Sequence, residues 1–450
     1  MWTMTTPSTK HCSLARIARS WPGARRSTSA LASALAALVA ACGMGCATSG
    51  PAPWNSLELV ESWPRGTTLD HANLRDTADV WVEMIDSAKT SVDFLEFYAI
   101  SSEGSAMARV LEALNRALAR GVKVRVIVDA NFSAKMPELP AQWAKTPGIT
   151  VRPYNLRAIT GGVQHAKLFL VDDKEAFVGS QNFDWRALEH IQELGLRISE
   201  PAVLRSIRAI FELDWAIAGG EMKRDRLKQN QQSQQNEIAP SDDEDAQTEN
   251  AAMARSPGRA HARFEGEPVD VWLVADPDQL RPPDVGWTFD ALRAALAQAR
   301  ERVCLQMLDF HVVNFDGQRW LELDDAIRAA ATRGVKVRML LSDWSLKREN
   351  LDDLRSLATT PNVELRIMSI PPDASGFIPY ARTIHAKYMS VDDHWAWLGS
   401  SNGAKDYFYA SRNVGVVVEG QAFAKRLVSF FDDNWTSTYA APWPPPPESR

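Results

Sequence analysis

The sequence predicts an α/β architecture built twice: two similar α/β sandwich domains, with mixed or mostly parallel sheets, related by a pseudo-twofold. Three observations carry this prediction. Strand-like and helix-like segments alternate along the chain. The two halves of the chain repeat one another. A composition of 45% hydrophobic and 24% charged residues over 450 positions is enough for two apolar cores of ordinary size.

The elements follow in order. Thr68 to Lys89 carries Val80, Val82, Met84, Ile85 and Ala88 at helical spacing. Ser91 to Ile100 is rich in Val, Phe, Leu and Tyr and reads as a strand. Ala106 to Arg120 places Val110, Leu111, Leu114 and Leu118 on one helical face, and Gly121 stops the helix. Val122 to Val128 and Val151 to Tyr154 are strands. The second half repeats the scheme with helix Ala291 to Arg302, strand Val303 to Phe310, helix Leu323 to Arg333 and strand Val335 to Leu341.

The repeat is visible residue by residue. Arg120-Gly-Val-Lys-Val-Arg125 returns as Arg333-Gly-Val-Lys-Val-Arg338. His165-Ala-Lys167, Val171-Asp-Asp173 and Gly179-Ser180 return as His385-Ala-Lys387, Val391-Asp-Asp393 and Gly399-Ser400, all shifted by 385 − 165 = 220. The expected organisation is a signal (1–41), a tether (42–64), a first domain (65–222), a linker (223–263), a second domain (264–440) and a Pro-rich tail (441–450). The linker is expected to be disordered, because Lys228 to Gln235 holds only Lys, Gln, Asn and Ser and Ser241 to Asp245 is an acidic run.

The N-terminus reads as an export signal. Arg16, Arg19, Arg25 and Arg26 precede a short apolar run, Ala30 to Ala41, too short to span a bilayer as a mature helix. Val39-Ala40-Ala41-Cys42 resembles a bacterial lipobox, which implies cleavage before Cys42 and lipidation of its thiol. The expected location is therefore the periplasmic face of a bacterial membrane, through an N-terminal lipid anchor, or secretion. A net charge of −6 argues against a surface that binds polyanions as a whole, though not against one basic pocket. The four cysteines (Cys12, Cys42, Cys46 and Cys304) show neither zinc spacing nor a disulfide framework, so neither metal nor cofactor is expected.

The chemistry sits in His165-x-Lys167-x4-Asp172-x6-Gly179-Ser180-x-Asn182 and its copy His385-x-Lys387-x4-Asp392-x6-Gly399-Ser400-x-Asn402. One such pattern arises at a given start roughly once in a hundred million by residue frequencies, so two at equivalent places are no accident. His and Lys two apart lie on one face of a strand. Two motifs facing each other bring together two imidazoles, two ammoniums and two amides. That equipment suits in-line displacement at phosphorus. One imidazole attacks while the other protonates the leaving oxygen, and Lys and Asn hold the non-bridging oxygens. Asp172 and Asp392 belong to the motif, either beside the reaction or fixing the strand-to-turn geometry by hydrogen bonding. Ser180 and Ser400 can bond backbone as well as phosphate. Trp395 and Trp397 share one strand face, as core residues do.

Both motifs resemble those of the phospholipase D superfamily, over nearly all of residues 65 to 440 outside the linker. Gly179-Ser-Gln-Asn-Phe-Asp-Trp-Arg186 with Glu193-Leu-Gly195 is similar to the first motif of the lysosomal phospholipase-D-like 5′-exonucleases, which are related to poxvirus envelope phospholipase-like proteins. Tyr388-Met389, Gly399-Ser-Ser-Asn402 and Tyr407-Phe408 resemble their second motif. The resemblance implies a phospholipase D-like fold and a metal-independent phosphodiesterase acting through a phosphohistidine on phospholipid or single-stranded nucleic acid. Two other readings are a phosphatidyltransferase like cardiolipin synthase and a non-catalytic lipid- or nucleic-acid-binding lipoprotein. The resemblance also implies that Glu193 orients His385 and that Asn413, eleven residues past Asn402 as Glu193 is past Asn182, orients His165. A carboxylate raises an imidazole's basicity more than an amide does, so the two histidines are not equivalent, and either could be the nucleophile.

Overall fold

The computed structural model describes residues 56–221, 258–314 and 317–444. The signal, Cys42 and most of the linker lie outside the described residues. The described residues belong to one compact unit, Pro53–Arg450.

In the first half, strands β1 (Leu57–Ser62), β2 (Ser91–Glu96), β3 (Lys123–Asp129), β4 (Ile149–Tyr154), β5 (Leu168–Val171), β6 (Glu175–Gly179) and β7 (Glu193–Ile198) form a sheet. Its spatial order is β4-β3-β2-β5-β6-β7-β1. The pairings β4–β3 and β3–β2 are parallel and the rest antiparallel, so the sheet is mixed.

The second half supplies β8 (Ala260–Phe264), β9 (Glu267–Asp276), β10 (Arg302–Met307), β11 (Lys336–Ser342), β12 (Val363–Met368), β13 (Lys387–Val391), β14 (Trp395–Gly399), β15 (Asn413–Glu419) and β16 (Ala440–Trp443). Its order, β12-β11-β10-β13-β14-β15-β9, repeats that of the first half. Strand β8 flanks β9 and strand β16 flanks β12. The two sheets meet where Leu57 of β1 pairs with Phe264 of β8.

Helices α1 (Thr77–Ser87), α2 (Ala106–Ala119), α3 (Pro201–Ala218), α4 (Thr288–Gln298), α5 (Glu322–Thr332) and α6 (Gln421–Thr436) complete the layers. Helices α1 and α2 cover the outer face of the first sheet through Trp81, Met84, Val110 and Leu114 packed on Val92, Phe94, Val126 and Phe169. Helices α4 and α5 do the same for the second sheet, where Trp395 and Trp397 are core residues as their shared face predicts. The inner faces share one core with α3 and α6, built from Ile207, Phe211, Leu427 and Phe431 together with Leu168, Val178, Leu273 and Val416. This shared apolar layer clamps the two motifs in one relative position.

Several boundaries differ from expectation. The first helix begins at Thr77, not Thr68, because the Asp76 carboxylate caps it by accepting from the Ala78 N–H at 2.7 Å. The expected linker ends earlier than 263: in β8 alternation buries Ala260, Ala262 and Phe264 against β9, so that stretch joins the sheet. Residues 57–62 of the expected tether are β1, paired along its length with β7. The expected tail starts as β16, whose Ala440–Trp443 pairs with β12. Long helices α3 and α6 have no counterpart among the expected elements.

Candidate active site

The motifs do their work at the seam between the halves. Gln164 bridges to Arg412, and the His165 N–H donates to the Arg412 carbonyl at 2.9 Å. In the other direction Gln192 bridges to Ile384, and the His385 N–H donates to the Gln192 carbonyl at 2.8 Å. Each histidine is thus stitched by backbone to the residue just before the opposite supporting side chain. His165 Nδ1 lies 2.9 Å from Asn413 Oδ1, and His385 Nδ1 lies 2.9 Å from both carboxylate oxygens of Glu193. Both expected cross-pairings are present. His165 stands just before β5, not within it, because its backbone pairs with the other half; Lys387 begins β13.

Around this pair the site is buried. Lys167 and Lys387 each donate Nζ to the carbonyl of their own motif histidine. The Ser180 hydroxyl donates to the Leu194 carbonyl at 3.1 Å, fixing the start of β7 beside Glu193. The Ser400 hydroxyl donates to Asn413 Oδ1 at 2.9 Å. The Asn413 amide donates to the Tyr407 carbonyl at 2.7 Å, so Oδ1 is the atom turned to His165. Asn182 Oδ1 is buried with no hydrogen-bond partner among the described residues, and such an atom is costly unless a bound group uses it. Gly179 and Gly195 face each other across β6 and β7, and Gly399 and Gly415 across β14 and β15; a Cβ at Gly179 or Gly399 would come 2.9 Å from the opposite glycine Cα. The glycines therefore let the strands that carry Ser180, Glu193, Ser400 and Asn413 approach closely.

Burial lowers both imidazoles well below their ordinary range, and the two lysine ammoniums push the same way. Burial also lowers Lys387 to about 7 and Lys167 well below its usual value. It raises the Glu193 carboxyl to about 8, against the pull of Lys387, Ser180 and Lys167. At neutral pH, then, one proton is held between Glu193 and His385 Nδ1. His165 has only an amide oxygen behind it. Its Nδ1–H donates to Asn413, which leaves the Nε2 lone pair free.

Asp172 and Asp392 do not join the reacting groups, which corrects their place among the catalytic residues. Both sit at the far end of their strands, with φ of 52° and 48°, followed by Asp173 at 54° and Asp393 at 57°. Asp tolerates this left-handed pair, which makes the tight hairpin turn. The Asp172 carboxylate accepts from the N–H groups of Lys89, Thr90 and Ser91 at 2.7–2.9 Å, and Asp392 accepts from those of Arg300, Glu301 and Arg302 at 2.7–2.9 Å. Five residues of extended chain, roughly 17 Å, separate each from its motif lysine. Each aspartate anchors the loop that leads into the neighbouring strand.

Phe97 enters the site without having been expected, and Tyr407, quoted above within the second motif, joins it. The ring of Phe97 lies 5.0 Å from that of His165, and the ring of Tyr407 lies 5.2 Å from it. Lys167 Nζ is 5.1 Å from the Phe97 centroid. Phe97 follows β2, the strand paired with β5 through Leu95 and Leu168, and that register was its one available signal. Glu96 is buried near Lys167, and burial raises its carboxyl well above the ordinary value. Asp309, within reach of Lys387, pairs with Lys347 at 2.7 Å.

With this geometry in view, similarity to known proteins is informative. The family described as "Cardiolipin synthase, PLD-like domain" matches residues 81–215 and 292–435, one copy in each half. A probable phospholipase D of Caenorhabditis elegans is 30% identical over 85% of this chain and 70% of its own length. Phospholipase D Z of Dictyostelium discoideum is 31% identical over 86% of this chain and 90% of its own. The 5′-3′ exonuclease PLD4 of Mus musculus is 27% identical over 85% of this chain and 79% of its own. Among solved structures, a phosphatidylserine synthase of Haemophilus influenzae superposes with a TM-score of 0.53 at 13% identity over 81% of this chain and 85% of its own, which supports the shared fold. Two motif copies, their cross-paired supports and these matches place the chain in the phospholipase D superfamily, as a two-motif phosphodiesterase of the PLD-like family.

Proposed function

We propose that the chain hydrolyses phosphodiesters of single-stranded nucleic acid or phospholipid outside the cytoplasm, with His165 as nucleophile and His385 as acid and then base. One observation carries the assignment: the two histidines have unlike partners on Nδ1. Asn413 holds His165 neutral with its Nε2 lone pair exposed, the form that attacks phosphorus. Glu193 holds the proton it shares with Nδ1 of His385, which leaves the imidazole's own proton on Nε2 for donation to the leaving oxygen. Once the leaving group has gone, His385 takes a proton from water, which cleaves the phosphohistidine. Lys167, Lys387, Asn182 and Asn402 hold the non-bridging oxygens as charge builds on them.

A nitrophenyl phosphodiester of thymidine, assayed with chelator present, tests the roles. Its leaving group departs without an acid. A His385→Asn protein should release one equivalent of nitrophenol and stall with the thymidylyl group on His165. A His165→Asn protein should release none. The reverse pattern would exchange the roles. Parallel arms with single-stranded DNA and with anionic phospholipid vesicles plus glycerol identify the substrate. Transfer to glycerol would favour the phosphatidyltransferase reading, which the name of the matching family supports.

The same proposal includes export as a lipoprotein anchored through Cys42, supported by the basic and apolar N-terminal run. Palmitate labelling should be lost in a Cys42→Ser chain.

A further inference from the structure

Beside the site stands a group of exposed rings that the mechanism does not use. Phe377 is 84% exposed, Tyr380 69% and Trp344 39%. Large rings this open are uncommon on a protein surface unless something covers them. The ring centroids of Trp344 and Tyr380 lie 6.5 Å apart, edge to face. Tyr380 has a φ of 59°, a left-handed conformation that a bulky residue adopts only when its surroundings hold it there.

Those surroundings are identifiable. The Arg186 guanidinium donates to the Pro379 carbonyl at 3.0 Å and lies 6.0 Å from the Tyr380 centroid. Arg382 donates to the carbonyls of Pro371 and Arg65, both at 2.7 Å, tying down the rest of the loop. The Ser342 hydroxyl accepts from the Trp344 N–H at 3.1 Å and bonds Thr383 at 2.6 Å. Thr383 is two residues from His385. A second path runs from Arg186 through Asp184 to the Tyr98 hydroxyl, 3.0 Å from Asp184, and on to Phe97 against His165. Trp344 and Tyr380 are therefore tied by hydrogen bonds to the segments that carry His385 and Phe97.

We infer that Trp344 and Tyr380 form a stacking subsite for a nucleobase of a single-stranded nucleic acid whose phosphodiester lies between His165 and His385. The inference rests on the function proposed above and names its substrate class. A ring face suits a base, and the Tyr380 ring has the Asp184-paired Arg186 guanidinium beside it while Lys347 and Arg348 follow Trp344 in the chain. An interfacial lipid contact buries a continuous apolar face, whereas here two rings stand beside the Arg186 guanidinium on a loop tied down by three side-chain-to-carbonyl bonds.

The test is binding, measured separately from turnover. The full chain carrying His165→Asn is titrated against a labelled single-stranded oligothymidine of about 12 nucleotides and against an abasic strand of equal length and charge. The base-bearing strand should bind about tenfold more tightly for each stacked base. Adding Tyr380→Ala should bring that ratio close to one, Tyr380→Phe should keep it, and Trp344→Ala, a second and independent variant, should lower it. A ratio untouched by both alanine variants overturns the subsite. So does weaker binding to anionic phospholipid vesicles in Tyr380→Ala with the oligonucleotide ratio intact, which would assign the rings to a lipid surface. Turnover of the unmodified chain is scored apart. A ring-dependent ratio without turnover would sink the hydrolase and keep the subsite, and turnover without a ratio would do the opposite.

Discussion

The two halves share a strand order, a motif and a backbone seam, yet they place different residues behind their histidines. Glu193 stands behind His385 and Asn413 behind His165, each at 2.9 Å. The positions are equivalent, each at the start of the strand that follows its Gly-Ser-x-Asn element. Under the proposed roles, this one difference of charge at one position is what divides the two histidines into nucleophile and acid. With like partners behind both imidazoles, only their mutual repulsion would divide the two roles.

The comparison can be broken at several levels. Removing either imidazole has the largest effect. His165→Asn and His385→Asn should each lower turnover of a natural phosphodiester by at least about 10⁴-fold, read by steady-state assay. A smaller loss in either would mean that the halves do not act together.

Glu193→Gln makes the halves alike and should cost roughly 100-fold in kcat. Its pH profile sharpens the point. The Glu193 carboxyl is raised from 4.5 to about 8, so the proton it shares with His385 is held through neutrality and lost as pH rises through about 8. The parent enzyme should lose activity above about pH 8, and the Gln variant should lose that limb. A limb unchanged in the variant would detach Glu193 from the acid step.

Asn413→Asp makes the halves alike in the opposite sense. His165 is lowered below 6.5 in the parent, so acid protonates it only well below that value and the acid limb lies there. A carboxylate behind His165 raises its basicity, so the limb should move upward and activity at pH 5.5 should fall about tenfold. An unmoved limb would deny His165 its role as the neutral nucleophile.

The smallest effects belong to Asp172→Asn and Asp392→Asn. Each should weaken a set of carboxylate-to-amide bonds and cost about 2 kcal/mol, seen as a lower Tm in thermal unfolding. The two should behave alike and leave the pH profile in place, because the halves are equivalent at that position. A changed profile would return these aspartates to the chemistry.

Much of the site was legible because its signal is local. His165, Lys167, Ser180 and Asn182 repeat at fixed spacing in the second half, and spacing along an extended chain translates directly into position. The cross-pairing of Glu193 and Asn413 came through resemblance and matched the geometry. The role of Asp172 was open, since a carboxylate that caps a loop and one that meets substrate look alike in sequence; three backbone N–H donors on it decided the matter. Strands β8 and β16 were assigned to linker and tail because neighbouring composition masked them. Three small or apolar residues at period two were enough to join β8 to the sheet.

The amino-acid sequence by itself determined that this protein is made of two α/β halves with two His-Lys motifs, because duplication and strand-helix alternation are properties of residue order. Only the tertiary structure decided what lies around those motifs. The pairing of Gln164 with Arg412 and of Gln192 with Ile384 joins residues more than 190 positions apart. Burial of two lysines, two imidazoles and Glu193 together sets their proton affinities, and Trp344 meets Tyr380 beside the bond between Ser342 and Thr383. Charge and stacking depend on distance in space. The chain order fixes distance only within an element, and the shared core between the sheets fixes the rest.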